Sequence, residues 1–285
     1  MGKREAAMDW TTMSRDERNR AFNNLAHVGA AAAQAKREEW TAASQTLRAS
    51  QPGHLDLAYA DAERTAWDLY PAADPAAPCL VHIHGGYWQR GSREGVACLV
   101  AGALAAGWSA ALPGYTLAPE ASLTQIVAEL RTAFDWLAAE APGHGIAGPV
   151  IVTGWSAGGH LAALLLDHPR VTAGVAISGL FELGPLRDVP HVNDQVQLTD
   201  TEVATLSPQR LPGVAKPLAL AYGTAELPGL VASSRDFHAC RAAAHLPGEL
   251  VPIARANHFT VLDGLRRPDS LLTRAVLRMA EHPAA

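Results

Sequence analysis

Gly154-Trp155-Ser156-Ala157-Gly158-Gly159 follows an apolar run at residues 150–153 and leads into a helical pattern that carries Leu161 and Leu166. A G-x-S-x-G stretch between a strand and a helix puts its serine on a sharp turn, with the hydroxyl presented as a nucleophile. The glycines are needed because the turn holds the serine at strained dihedrals and leaves no room for side chains two residues away on either side. Gly107-Trp108-Ser109-Ala110-Ala111 repeats Gly-Trp-Ser, but it has Ala111 at the last position and lies at the start of a strand, so it is not a second such turn.

Outward from this turn, short apolar runs alternate with longer helical patterns from Arg64 onward. That alternation predicts a mainly parallel sheet covered by helices on both faces. The expected strands are residues 65–70, 79–84, 108–113, 150–155, 173–178, 217–222 and 249–253. Ile126, Leu130, Ala133, Phe134 and Leu137 recur at helical spacing and predict a helix over 122–139, with further helices over 157–166 and 231–244. Residues 1–50 are rich in Ala, Arg, Glu and Gln and read as a helical extension of one or two surface helices, with Trp10, Phe22 and Trp40 as anchors. Residues 51–285 are the α/β domain. Within it, residues 180–215 hold Pro185, Pro190, Pro208 and Pro212 around a short helix over 200–206, N-capped by Thr199. An insertion of this kind is expected to lie as a cap over the carboxyl ends of the strands, where ligands of α/β proteins bind.

His84-Gly85-Gly86-Tyr87-Trp88 closes the strand at 79–83. Glycines there let backbone N–H groups approach a developing oxyanion, and one such donor is worth about 10² to 10³ in rate. His82 and His84 point to one face of the strand as zinc ligands sometimes do, but no Asp or His follows to complete a site, so no metal is assigned. A nucleophilic serine in the α/β-hydrolase fold takes its acid and its histidine later in the chain, in that order. Glu226 follows the strand at 217–222 and His258 follows the strand at 249–253. The rival acids are weaker: Asp236 falls inside a predicted helix and Asp263 lies beyond the histidine. His160 reads as a helix-face residue, and His27, His54, His144, His168, His191, His238, His245 and His282 share no common spacing.

These residues resemble the α/β-hydrolase kynurenine formamidases and their esterase relatives. The resemblance rests on the two glycine motifs, on Ser178-Gly179-Leu180-Phe181-Glu182-Leu183, on Asn193-Asp194 with Leu206-Ser207-Pro208, and on Ala21-Phe22-Asn23-Asn24. It implies an α/β-hydrolase fold, a catalytic triad of Ser156, Glu226 and His258, and an oxyanion hole formed by Gly85, Gly86 and Ala157. It further implies a serine hydrolase that cleaves an aryl formamide such as N-formylkynurenine through an acyl-enzyme. Tyr87, Trp88 and Trp155 are the expected substrate-pocket aromatics, stacking an aryl leaving group or simply packing the core. The family often has Asp followed by Ser-Pro where this chain has Glu226-Leu227-Pro228.

Three other readings stay open at this stage. One is a carboxylesterase acting on short-chain or aryl esters, which the same residues serve equally well. The others are a binding protein on a hydrolase scaffold and a metallohydrolase. With 23 basic against 28 acidic residues and a net charge of −5, the 285-residue chain offers no basic face for nucleic acid. No cofactor is expected, because neither glycine-rich loop spells a dinucleotide or P-loop motif. The charged N-terminus (Lys3, Arg4, Glu5, Asp9, Arg15, Asp16, Glu17, Arg18) has no signal-peptide core, and the run at 96–112, which ends at Pro113, falls short of the ~20 residues of a bilayer span. Three scattered cysteines (Cys79, Cys98, Cys240) suit a reducing cytoplasm. The expected partner is a small-molecule substrate, with no membrane. Residues 1–50 either wall its pocket or support a neighbouring subunit in a homodimer.

Overall fold

The computed structural model describes residues 10–281, so Lys3, Arg4, Glu5, Asp9 and His282 lie outside the described residues. An eight-stranded sheet has the order β1-β2-β4-β3-β5-β6-β7-β8. The strands are β1 His54–Ala58, β2 Ala66–Tyr70, β3 Cys79–Ile83, β4 Ser109–Pro113, β5 Val150–Trp155, β6 Val171–Ile177, β7 Leu218–Gly223 and β8 Leu250–Ile253. From β4 to β8 all neighbours run parallel, while β2 pairs antiparallel with both β1 and β4. The seven strands expected from the sequence are present, with ends moved by a residue or two. β1 was not anticipated: it is an edge strand of alternating, partly exposed residues, and its pairing comes from β2.

The helices are α1 Arg15–Ala21, α2 Asn24–Val28, α3 Ala30–Ser50, α4 Ala101–Ala105, α5 Leu123–Glu140, α6 Ala157–Leu164, α7 Pro190–Val196, α8 Asp200–Leu206, α9 Pro228–Ala243 and α10 Leu271–Arg278. They cover both faces of the sheet. Alternation along β5 shows why: Val150 and Val152 enter one core cluster with α5, α6 and α9, while Ile151 enters the other with α3, α4 and α10. On α5 the predicted stripe is fully buried at Ile126, Leu130, Phe134 and Leu137, each large apolar side chain contributing about 1.5–3 kcal/mol. Ser122 starts this helix with a capping box to Gln125. Thr199, the predicted N-cap of α8, forms the same box with Glu202.

The long N-terminal helix α3 is fastened to the sheet by buried charge. Asp68 on β2, its side chain 0% exposed, pairs with Arg48 from α3 and with Arg93 Nε at 3.2 Å. Arg93 also pairs with Asp56 on β1. Phe22 and Trp40 are buried as anchors at 2% exposure each, while Trp10 is only partly buried and stacks on Phe22 at 5.1 Å.

Candidate active site

Ser156 stands between β5 and α6 at φ 57° and ψ −117°, outside the regions that side chains favour. Its N–H donates to Ile177 O on the neighbouring strand at 2.8 Å, which holds the turn in place. A Cβ at Gly154 would lie 2.0 Å from Gly158 O, and one at Gly158 would lie 2.1 Å from Ile83 O. Only glycine fits at either place. Ala157 opens α6, so its N–H belongs to the first turn, whose donors have no intrahelical acceptor.

The loop after β3 approaches from the neighbouring strand end. A Cβ on Gly85 would meet Trp155 O at 2.5 Å, and Gly86 takes φ 121°. Tyr87 and Trp88 follow in the left-handed region at φ 52° and 58°. This loop is braced from below: His84 Nδ1 donates to Gly85 O at 2.9 Å, and its ring stacks on Tyr115 at 4.2 Å. Burial holds His84 neutral, its pKa lowered to about 4. His82, lowered to about 3 by burial, donates from Nδ1 to Thr153 Oγ1 at 3.0 Å.

Two further loops carry Glu226 and His258. They are zipped together by Thr224 N to Ile253 O at 3.0 Å, Ala225 N to Ala256 O at 2.9 Å and Arg255 N to Thr224 Oγ1 at 2.9 Å. His258 Nδ1 donates to Glu226 Oε2 at 2.8 Å, and both side chains are almost wholly buried, at 3% and 0% exposure. The other carboxylate oxygen, Oε1, accepts from Ser178 Oγ and from Gly223 N, each at 2.6 Å. Trp155 Nε1 donates to His258 O at 2.8 Å, and the two rings lie 4.8 Å apart. Asp236 falls within α9, and Asp263 pairs with Lys36 at 3.1 Å.

A cavity of about 800 Å³ brings together Ser156, His258, Gly85, Gly86, Tyr87 and Trp155. Trp88 lies apart from it, fully buried and edge-on to His160 at 5.1 Å. His160 itself is buried, donates to Leu206 O at 2.7 Å, and has its pKa lowered to about 4 by burial. The remaining wall comes chiefly from α2 and α3, with Asn24, Arg37 and Trp40 on it, whereas His191 is the one residue of the segment 180–215 among the described lining. The N-terminal extension therefore forms more of the cavity than the insertion does. Tyr87 ties the loop after β3 to the extension, its hydroxyl donating to Phe22 O at 2.6 Å and accepting from Asn24 at 3.3 Å. A pocket wall from residues 1–50 is one of the two roles the sequence leaves open for them, and they line this cavity, but the sequence singles out neither Ser178 nor Asn24 nor Arg37 as a site residue. Ser178 has one signal, its place just past the end of β6, next to β5, the strand that leads into Ser156, whereas Asn24 and Arg37 sit in helices that read as surface.

A serine on a strained turn shares a cavity, at the carboxyl ends of parallel strands, with a histidine whose Nδ1 is bonded to a buried carboxylate. This chain has the α/β-hydrolase fold. The BD-FAE family pattern matches residues 68–168. Kynurenine formamidase of Danio rerio is 24% identical over 95% of this chain and 98% of its own length. A crystal structure described as a thioesterase candidate from Silicibacter sp. TM1040 superposes with a TM-score of 0.83, at 28% identity, over 92% of this chain and 99% of that one. Esterase B of Lactobacillus rhamnosis gives 0.68 at 19% identity, over 92% of this chain and 96% of that one. Fold and relatives together support a hydrolase of the esterase type in this α/β-hydrolase. Among its described residues no helix is long and apolar enough to cross a membrane.

Proposed function

We propose that this chain is a serine hydrolase that cleaves carboxylic esters through an acyl-enzyme. The observation that carries the reading is Ser156, held at φ 57° in the same cavity as His258, whose other ring nitrogen is bonded to Glu226 at 2.8 Å. Ser156 attacks the acyl carbon while His258 takes its proton, and Glu226 holds the imidazole in the tautomer that accepts at Nε2. The N–H groups of Ala157 and of Gly85 or Gly86 receive the oxyanion, and His258 returns the proton to the leaving group. Water then attacks the acyl-enzyme by the same route in reverse. A reducing cytoplasm suits Cys79, Cys98 and Cys240, all of them unpaired.

A second reading, cleavage of an aryl formamide, is favoured by the nearly full-length similarity to the Danio rerio kynurenine formamidase. Tyr87 and Trp155 on the cavity wall would stack the aryl group. The test is kcat/KM of wild type and Ser156→Ala on p-nitrophenyl acetate, p-nitrophenyl butyrate and N-formylkynurenine, with and without EDTA. The expected result is ester cleavage that EDTA leaves untouched and that Ser156→Ala lowers by about 10⁴-fold or more. Formamide cleavage at a comparable rate moves the assignment to the second reading. Near-wild-type turnover by Ser156→Ala overturns both.

A further inference from the structure

We propose that the cavity selects substrates bearing a carboxylate and no ammonium group, with Arg37 and Arg90 supplying its charge. The inference rests on the ester-hydrolase reading above and names the substrate class for that site. Among the described residues, the lining includes these two arginines and no aspartate or glutamate, in a chain whose net charge is −5. The pocket thus has the opposite sign to the molecule around it. A cleft lined by one sign of charge concentrates the field and draws ligands of the other sign.

The charge on each arginine remains available. Arg37, half-buried on α3, lays its guanidinium 5.8 Å from the centre of the Phe259 ring, which itself lies 5.8 Å from the His258 ring. Its guanidinium donates to a neutral partner, from Nη2 to Gln34 Oε1 at 2.8 Å, while Glu38 accepts from the other end of that amide at 2.7 Å. The acids nearby are engaged elsewhere: Glu39 with Lys36 at 2.7 Å and with Arg266, Asp263 with Lys36, and Glu94 with Arg93 at 2.9 Å. Arg90 extends the oxyanion loop, its N–H donating to Gly86 O at 3.1 Å, and its exposed side chain has no ion pair among the described residues. The one buried carboxylate close to Ser156, on Glu226, has both oxygens occupied by His258, Ser178 and Gly223. A substrate carboxylate entering this cavity meets two guanidinium groups rich in donors, whereas an ammonium meets no lining carboxylate and two like charges.

Three aryl acetates with the same acyl group test this: 4-acetoxybenzoate, 4-methylphenyl acetate and 4-(aminomethyl)phenyl acetate, each kcat/KM divided by its rate with hydroxide. The carboxylate substrate is expected to exceed the neutral one by about tenfold, the size of one hydrogen bond to a charged group, and the ammonium substrate to fall below the neutral one. The carboxylate preference should shrink as salt rises from about 0.05 to about 0.5 M. It should collapse in Arg37→Gln/Arg90→Gln and persist in Arg37→Lys/Arg90→Lys. Calorimetric binding of 4-hydroxybenzoate and of 4-methylphenol to Ser156→Ala reads the same preference without turnover. Equal normalised rates and equal binding overturn the inference while leaving the hydrolase reading intact. Preferred binding of 4-hydroxybenzoate with no cleavage of any acetate overturns the hydrolase reading and keeps the anionic pocket.

Discussion

The hydroxyl of Ser178 donates to Glu226 Oε1 at 2.6 Å, on the carboxylate oxygen that does not face His258. Gly223 N donates to that same oxygen, so the carboxylate is pinned at one end and presents the other to the imidazole. Ser178 is fully buried and takes φ 50°, on the strand end next to Ser156. Removing one donor from a buried carboxylate leaves the charge partly unsatisfied. Ser178→Ala is expected to lower stability by about 1.5–3 kcal/mol and kcat on p-nitrophenyl acetate by about tenfold, with little change in KM. Urea unfolding and steady-state kinetics check it. An unchanged kcat and unfolding midpoint would remove Ser178 from the account.

The turn at Ser156 makes a steric prediction with an internal control. Gly154→Ala would drive a methyl to 2.0 Å from Gly158 O, backbone against backbone, with nothing able to yield cheaply. That variant should be insoluble or should melt well below the wild type. Gly143→Ala meets nothing within 4 Å and should match the wild type or gain about 0.4–1 kcal/mol from a stiffer unfolded chain. Thermal melts of the two proteins side by side decide the point.

Buried histidines predict how stability depends on pH. His82, His84 and His160 have folded pKa values lowered by burial from 6.5 to about 3, about 4 and about 4. Above pH 6.5 each is neutral whether folded or unfolded, and none affects the balance. Below 6.5 the unfolded chain takes up protons that the folded one refuses, so stability falls as pH drops, by up to about 1.4 kcal/mol per pH unit for each histidine. The loss levels off near pH 4 for His84 and His160 and near pH 3 for His82. Urea midpoints measured between pH 7 and pH 4.5 should fall steeply. His160→Gln should flatten that slope by about one proton, and an unaltered slope would contradict the assignment.

Asp68 holds the cavity wall from behind. It is fully buried on β2 and pairs with Arg48 of α3 and with Arg93, so Asp68→Ala removes the one fully buried partner of both cations and leaves them the more exposed Asp56 and, for Arg93, Glu94. The expected loss is about 3–5 kcal/mol, the cost of breaking a buried ion pair from one side. Faster hydrogen exchange along α3 should accompany it, together with a shift in the emission of buried Trp40. A loss of stability spread evenly over the sheet, with α3 still protected, would argue against a clamp.

Much of this arrangement is legible locally. The run at residues 150–155 reads as a strand because β-branched and apolar residues sit on both faces, and the glycines beside Ser156 announce the turn because a side chain there would strike the backbone. Thr199 and Glu202 cap α8 through bonds that span three residues. By contrast, β1 alternates polar residues such as His54 and Asp56 with leucines and becomes a strand through its antiparallel partner β2. The aromatic run after the glycines gives no sign that Tyr87 turns to the cavity while Trp88 turns into the core.

The sequence by itself determined the layered sheet, the strained serine and the order of the acid and histidine, because each of these depends on side-chain period, on glycine sterics or on position after a strand. Tertiary structure alone decided what surrounds them. Trp155 Nε1 bonds to His258 O across 103 positions of chain, Ser178 reaches Glu226 across 48, and Trp40 from a helix of polar aspect closes edge-on over Trp155 at 5.6 Å. No local pattern carries such contacts, since the free energy that selects them comes from burying surfaces that meet only once the sheet has formed.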